Sequence, residues 1–243
     1  MAVYKRHYEG TARCALRGEV VCDGQHAEQC CRLRRIFRDA YGPRRALAGL
    51  PGSQGKIIQA AKELGKKPTD IRHILLTHAH PDHIGGFAAL KRDTAAQAHM
   101  HLIDAPIAIS GTGFRPMKAA PGLRRKILFR LFVRFAPVDG APVDHYLEDE
   151  QQLPIAGGLT AIHAPGHCAG QMALLWHQHG GVLFAADACS NMMGLGWSLG
   201  YENLEEGKRS LRKLSALNFQ IACFGHGKPI LKDAALRFKE LWL

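Results

Sequence analysis

Between Ile71 and Gly86 the sequence reads IRHILLTHAHPDHIGG, a short apolar run that opens directly onto four ligand-type side chains. An apolar run of this length, ended by a turn signal, reads as a buried strand. His78 and His80 are two residues apart, so on an extended backbone their side chains point the same way. Asp82 and His83 follow around the turn and can face the same pocket from a second side. The fold must therefore bring a strand end and a turn into a short helix at one place.

On either side strand and helix patterns alternate, which predicts an α/β chain. GSQGKIIQAAKELGKKP predicts a helix with Ile57, Ile58, Ala61 and Leu64 on one face, ended by Gly65 in the left-handed conformation. AHPDHIGGFAALKRD predicts a short helix and AAQAHMHL a second strand, while residues 104–150 read as irregular. GLTAIHAPGH alternates as a strand, and QMALLWHQHGGVLFAAD predicts a hairpin turning at His179-Gly180-Gly181. NLEEGKRSLRKLSAL predicts a helix with Asn203 and Glu206 at capping-box spacing and an apolar stripe of Leu204, Leu211, Leu214 and Leu217. FQIACFGHG predicts one more strand, and KDAALRFKELWL a closing helix.

Three further ligand-type residues each end a strand pattern: His167 in HAPGHCAG, Asp187 in LFAADA and His226 in CFGHGKP. Imidazoles and carboxylates are the ligand set of zinc and comparable divalent ions. Together with His78, His80, Asp82 and His83 they exceed what one tetrahedral ion needs, and they match two ions sharing a carboxylate. His7, His26, His73, His145, His163, His177 and His179 have no such setting. His99 and His101 share a strand face, where a structural role is expected.

The segments THAHPDH, APGHCAGQ, LFAADA and FGHGKP, in that order, resemble the metallo-β-lactamase superfamily of hydrolases over roughly residues 50–230. The resemblance implies an αβ/βα four-layer sandwich: two facing mixed sheets flanked by helices, with the metals at one edge. It places His78, His80 and His167 on a first metal, and Asp82, His83 and His226 on a second, with Asp187 bridging. Two divalent ions are implied, zinc first, with iron or manganese as alternatives. Asp82 would also orient the nucleophile, and the reaction would be hydrolysis of an ester, thioester or lactone bond in a small-molecule substrate. His80 stands where the family's oxygen-reducing di-iron branch carries Glu, which argues against that branch. Asp187 stands where the zinc β-lactamases have Cys or Ser, which argues against β-lactam hydrolysis. The pattern resembles the glyoxalase II-like and lactonase-like members, whose relatives include mono-iron sulfur dioxygenases. Cys168, beside His167, reads as a small packed residue.

Two segments stand apart. Residues 1–49 hold ten Lys or Arg and five Asp or Glu, with four of the seven cysteines in the first 31 residues. Family members carry a buried Asp-Thr-Gly turn before this point, where the chain instead has Ala48 in RRALAGLPGS. This N-terminus is expected to be atypical: diverged, out of frame or disordered. The alternatives to the hydrolase reading are a mono-iron sulfur dioxygenase and, because of this segment, an inactive relative. Residues 115–134 hold seven basic residues and no acid. Within them PGLRRKILFRLFVRFAP predicts a helix with Leu123, Ile127, Leu128, Leu131, Phe132 and Phe135 on a broad apolar face, and Arg124, Arg125, Arg130 and Arg134 opposite. It lies in the lid insertion expected at residues 104–150, and is expected to border the substrate pocket. A peripheral membrane contact through 121–137 is also physically allowed. The charge of +11 lacks the basic stripe with aromatics of a nucleic-acid module, so no nucleic acid is expected. No signal-peptide pattern or apolar run of about 18 residues is present, so a cytoplasmic protein is expected. The oligomeric state is not legible.

Overall fold

A computed structural model describes residues 53–243. The expectation for residues 1–49 lies outside the described residues. Helix α1 (Gln54–Glu63) stops where predicted, with Gly65 at φ +73°. A short 3-10 turn leads to strand β1 (His73–Leu75). The single helix expected next is two: α2 (Pro81–Ile84) and α3 (Phe87–Thr94), broken at Gly85-Gly86. A Cβ on Gly86 would fall 2.2 Å from the Ser53 Oγ, so the break lets the start of α1 approach the backbone.

Strand β2 (Gln97–His101) and helix α4 (Ala105–Ser110) follow, then β3 (Lys118–Ala119) and helix α5 (Leu123–Phe132). Residues 104–150 are therefore more regular than their sequence suggests, and their last part is core: β4 (His145–Leu147) is the third strand of a sheet. The larger sheet contains β5 (Gln152–Leu153), β6 (Leu159–His163), β7 (Met172–Trp176) and β8 (Val182–Ala186). Strand β9 (Gly200–Tyr201) pairs with β3, and helix α6 (Leu204–Ser215), β10 (Ile221–Phe224) and helix α7 (Ala234–Trp242) complete the chain. The β7–β8 turn falls at the expected place, with His179, Gly180 and Gly181 all at positive φ. Half of the expected capping box forms, the Asn203 Oδ1 accepting from the Glu206 N–H at 3.2 Å.

The smaller sheet has the order β1-β2-β4 and is parallel throughout among the described residues. The larger has the order β10-β8-β7-β6-β5, with β8 and β10 parallel and the other neighbours antiparallel. Side chains alternate across a strand, and here both faces of the central strands are buried. On β7, Met172 and Leu174 pack with Leu75, Leu147 and Leu159 between the two sheets. Ala173 and Leu175 point the other way, into a cluster with Leu211, Leu214 and Phe238 of α6 and α7. On the smaller sheet Ile74, Ala98 and Met100 meet Ala61, Phe87, Leu90 and Ile107 from α1, α3 and α4. The layers run helices, sheet, sheet, helices: the αβ/βα sandwich that the resemblance implied.

This topology decides where the site can be. Strands β6 and β8 are both antiparallel to β7, and β10 is parallel to β8. The C-terminal ends of β6, β8 and β10 therefore open on one edge of the sheet. The loops that follow carry His167, Asp187 and His226.

Candidate metal centre

Beyond β1 the chain stays extended from Leu76 to His80, held to β2 by Leu76 N–H on the His99 carbonyl and to β7 by Met172 N–H on the Thr77 carbonyl. His78 and His80 thus project to one side, as their spacing predicts. His80 is extended (φ −86°, ψ 151°), and Pro81 starts α2, which swings Asp82 and His83 back toward the same space. His167 sits in the β6–β7 loop, drawn against the start of α6 through Gly166 at φ +130°. Asp187 follows β8. Gly225 leaves it room, because a Cβ there would lie 1.9 Å from the Asp187 Oδ1.

All seven predicted residues come together. His226 Nε2 lies 3.0 Å from an Asp82 oxygen and 3.2 Å from an Asp187 oxygen. The same Asp187 oxygen is 3.5 Å from His167 Nε2 and 3.7 Å from His83 Nε2. His167 Nε2 and His80 Nδ1 are 2.9 Å apart. The ligand atoms of Asp82, His83 and His226 all lie within 4.8 Å of one another, as do those of His78, His83 and Asp187. His83 is common to these two triads, and one Asp187 oxygen faces His83, His167 and His226.

Five of the seven are buried, and several polar atoms face inward without a partner. His78 Nε2, His80 Nε2, His83 Nε2 and Asp187 Oδ1 are buried with no hydrogen bond. Orphaned polar atoms are costly, and such a set fits a cation as the missing partner. The outer nitrogens are engaged instead: His78 Nδ1 with the Thr77 hydroxyl at 3.1 Å, and His167 Nδ1 with the Gly200 carbonyl at 2.8 Å. That arrangement orients the ring and frees the other nitrogen for a metal.

Protonation points the same way. Burial holds His78, His80 and His167 below the ordinary histidine range, so these rings are neutral at pH 7. Burial opposes ionisation of Asp187, but His226 and His83 overcome it and keep the carboxylate charged. Asp82 is likewise held low by His83 and His226 against the cost of desolvation. His226 is the exception: chiefly through the charge of Asp187 it is raised to about 10, so it carries a proton that a metal would have to displace. Neutral imidazoles and ionised carboxylates are the forms that bind a divalent ion.

Cys168 is close enough to His78 and His80 to be a third ligand by distance. Its thiol, however, donates to the Asp104 carboxylate at 3.4 Å, and burial pushes its pKa far up. The small packed residue expected from the sequence is what the structure shows.

Asp104 is the site residue that sequence reasoning missed. It is fully buried and accepts from the Ala79 N–H at 2.9 Å, between His78 and His80. It also accepts from the Gly170 N–H at 3.0 Å, and so ties the His78–His80 segment to the His167 loop. Arg115 pairs with it and with Glu202, whose other partner is the Ala169 N–H at 2.9 Å. Asp104 stands at the N-cap position of α4, yet its side chain makes no capping bond. No local signal distinguishes the two roles, since its true partners lie 25 and 66 residues away.

A four-layer αβ/βα sandwich with imidazoles and carboxylates gathered at one sheet edge defines the class of metal-dependent hydrolases. The chain belongs to the Metallo-beta-lactamase superfamily, whose family profile matches residues 48–226. It is 33% identical over 208 residues to the protein YobT of Bacillus subtilis, covering 79% of this chain and 81% of that one. A 57-residue stretch is 44% identical to the hydroxyacylglutathione hydrolase of Albidiferax ferrireducens, covering 24% of this chain and 21% of that enzyme. Among solved structures, the HARLDQ-motif metallo-beta-lactamase of Cronobacter sakazakii aligns with a TM-score of 0.56 at 25% identity, over 73% of this chain and 67% of the other.

Proposed function

We propose that the chain hydrolyses an ester, thioester or lactone bond with two divalent ions, zinc first. His78, His80 and His167 would hold one ion, Asp82, His83 and His226 the other, and Asp187 both. The observation that carries this is the placement of Asp187, with one oxygen within 3.7 Å of His83, His167 and His226. Two such ions would supply a water of lowered pKa as nucleophile and a Lewis acid for the bond under attack.

The protein's own groups set the remaining terms. Asp187 supplies fixed negative charge at the centre and keeps the two halves of the ligand set in register. Asp82 is the exposed member, its side chain 46% accessible, and lies on the rim beside His226. From there it can accept a proton from the attacking water and pass it to solvent. Phe135 stacks on His80 at 5.1 Å between centroids and on Phe114 at 5.7 Å, giving the site an apolar wall. Such a wall suits a substrate with an apolar acyl group. The hydroxyacylglutathione hydrolase relative supports the thioester option, and the carboxylate at Asp187 argues against a β-lactam.

Metal analysis of purified protein, together with a panel of esters, thioesters and lactones, tests the proposal. About two ions per chain and chelator-sensitive hydrolysis are expected. One iron per chain with oxygen uptake would replace it with the sulfur dioxygenase reading.

A further inference from the structure

We infer that α5 is a docking helix for an anionic lipid surface. The helix is apolar on the outside. Leu123, Ile127, Leu131 and Phe132 are 75%, 51%, 57% and 70% exposed, and no residue of the helix is buried. Leu123, Ile127 and Leu131 are four apart and form one ridge. At helical spacing, Lys126 and Arg130 border that ridge on one side and Arg124 on the other, all three exposed. The sequence placed the arginines opposite the apolar face, whereas the structure uses the opposite side for packing.

The packing side is well anchored, so the exposed ridge belongs to a fixed element. Phe129 lies over Gly200, where a Cβ would come within 2.4 Å of its ring. The Arg125 guanidinium donates to the Trp197 carbonyl at 3.3 Å. The loop carrying Met192 and Met193, 52% and 46% exposed, is closed by the pairing of Ser190 with Gly196, and Gly196 lies against Arg125.

Charge selects the occupant. Lys118, Arg124, Lys126, Arg130 and Arg134 are exposed, and none pairs with a carboxylate among the described residues. A second copy docking on the same patch would set these cations against their own equivalents. An anionic bilayer satisfies both features: Leu123, Ile127 and Leu131 enter the headgroup boundary, and the flanking bases reach phosphates. Phe135, three residues after the helix, touches His80, so docking would hold the metal centre next to the lipid–water boundary. The inference concerns a surface and does not depend on the reaction proposed above.

The test is co-sedimentation of the full chain with phosphatidylcholine vesicles, with and without phosphatidylglycerol. Binding only to the phosphatidylglycerol vesicles, weakened by salt, is expected. Leu123→Ser with Ile127→Ser and Leu131→Ser should abolish it. Arg124→Gln with Lys126→Gln and Arg130→Gln should weaken it on the order of a hundredfold. All six positions are exposed, so the circular dichroism spectrum and the thermal unfolding midpoint should stay unchanged. No binding by the parent chain, or binding retained by the serine variant, overturns the inference. A concentration-dependent dimer that the serine variant loses, without vesicle binding, gives the ridge to a second copy instead.

Discussion

Two groups of histidines lie within a few residues of each other, and they are opposites. His99 on β2 and His145 on β4 are register partners, and His73 on β1 lies diagonal to His99, opposite Gln97. His73 Nδ1 meets His99 Nε2 at 3.0 Å, His145 Nε2 meets the Gln97 amide at 3.1 Å, and the rings of His99 and His145 stack. His101 and His163 stack at 4.2 Å across the gap between sheets, each with a backbone partner. In the candidate metal centre, by contrast, the buried Nε2 atoms of His78, His80 and His83 have no hydrogen-bond partner. Clustering of histidines is common to both groups. What marks the site is unsatisfied nitrogen together with a carboxylate at its middle.

The sharpest way to break this contrast is to remove that carboxylate. Asp187→Ala should lose at least one ion per chain and reduce hydrolysis to near background, read by metal analysis and steady-state kinetics. Unchanged metal content would remove Asp187 from the centre.

Asp104→Asn is expected to come next. It weakens the tie between the His78–His80 segment and the His167 loop without touching either ligand set. Metal affinity, measured by chelator competition, should fall about 10–100-fold, as for other groups that orient ligands. Asp104→Glu should recover part of it, and equal affinity in all three proteins would make Asp104 a packing residue only.

The non-metal group should respond to pH instead. Burial first, then His145 and His73, lowers His99 to about 4 from an ordinary value near 6.5. A depressed histidine means that the unfolded chain takes up the proton first. Its contribution to stability is complete above pH ~6.5 and is lost as pH falls toward 4. His99→Gln should therefore flatten the denaturant-midpoint profile over that window and leave metal content alone. A profile as steep as the parent's would place the acid sensitivity elsewhere.

Cys168→Ala should have the smallest effect. The thiol belongs to Asp104 in this geometry, so the ion count should not change. Loss of an ion would move Cys168 into the ligand set and redraw the boundary between the two kinds of cluster.

Much of the site was legible because it obeys short-range rules. Two histidines two apart on extended chain, a proline-started turn and glycines after strands specify local geometry with no help from the rest of the fold. The same rules located α1, α6 and the β7–β8 hairpin. They failed in residues 104–150, where β4 is only three residues long and two of its side chains are exposed. A strand that short has no readable period and takes its identity from the edge of β2 that it joins.

The sequence by itself determined which side chains are of metal-binding type and that they would gather at strand ends and in the turn after the first of them, since residue type and nearest-neighbour spacing decide both. Only the tertiary structure decided that those ends meet. Convergence depends on β6, β8 and β10 running the same way, and on contacts such as that of His80 with His167, 87 residues apart. It also decided that Asp104 serves the loops and leaves α4 uncapped, and that α5 turns its leucines outward. Those outcomes depend on which surfaces remain for each element once the sheets have packed, and no local periodicity carries that information.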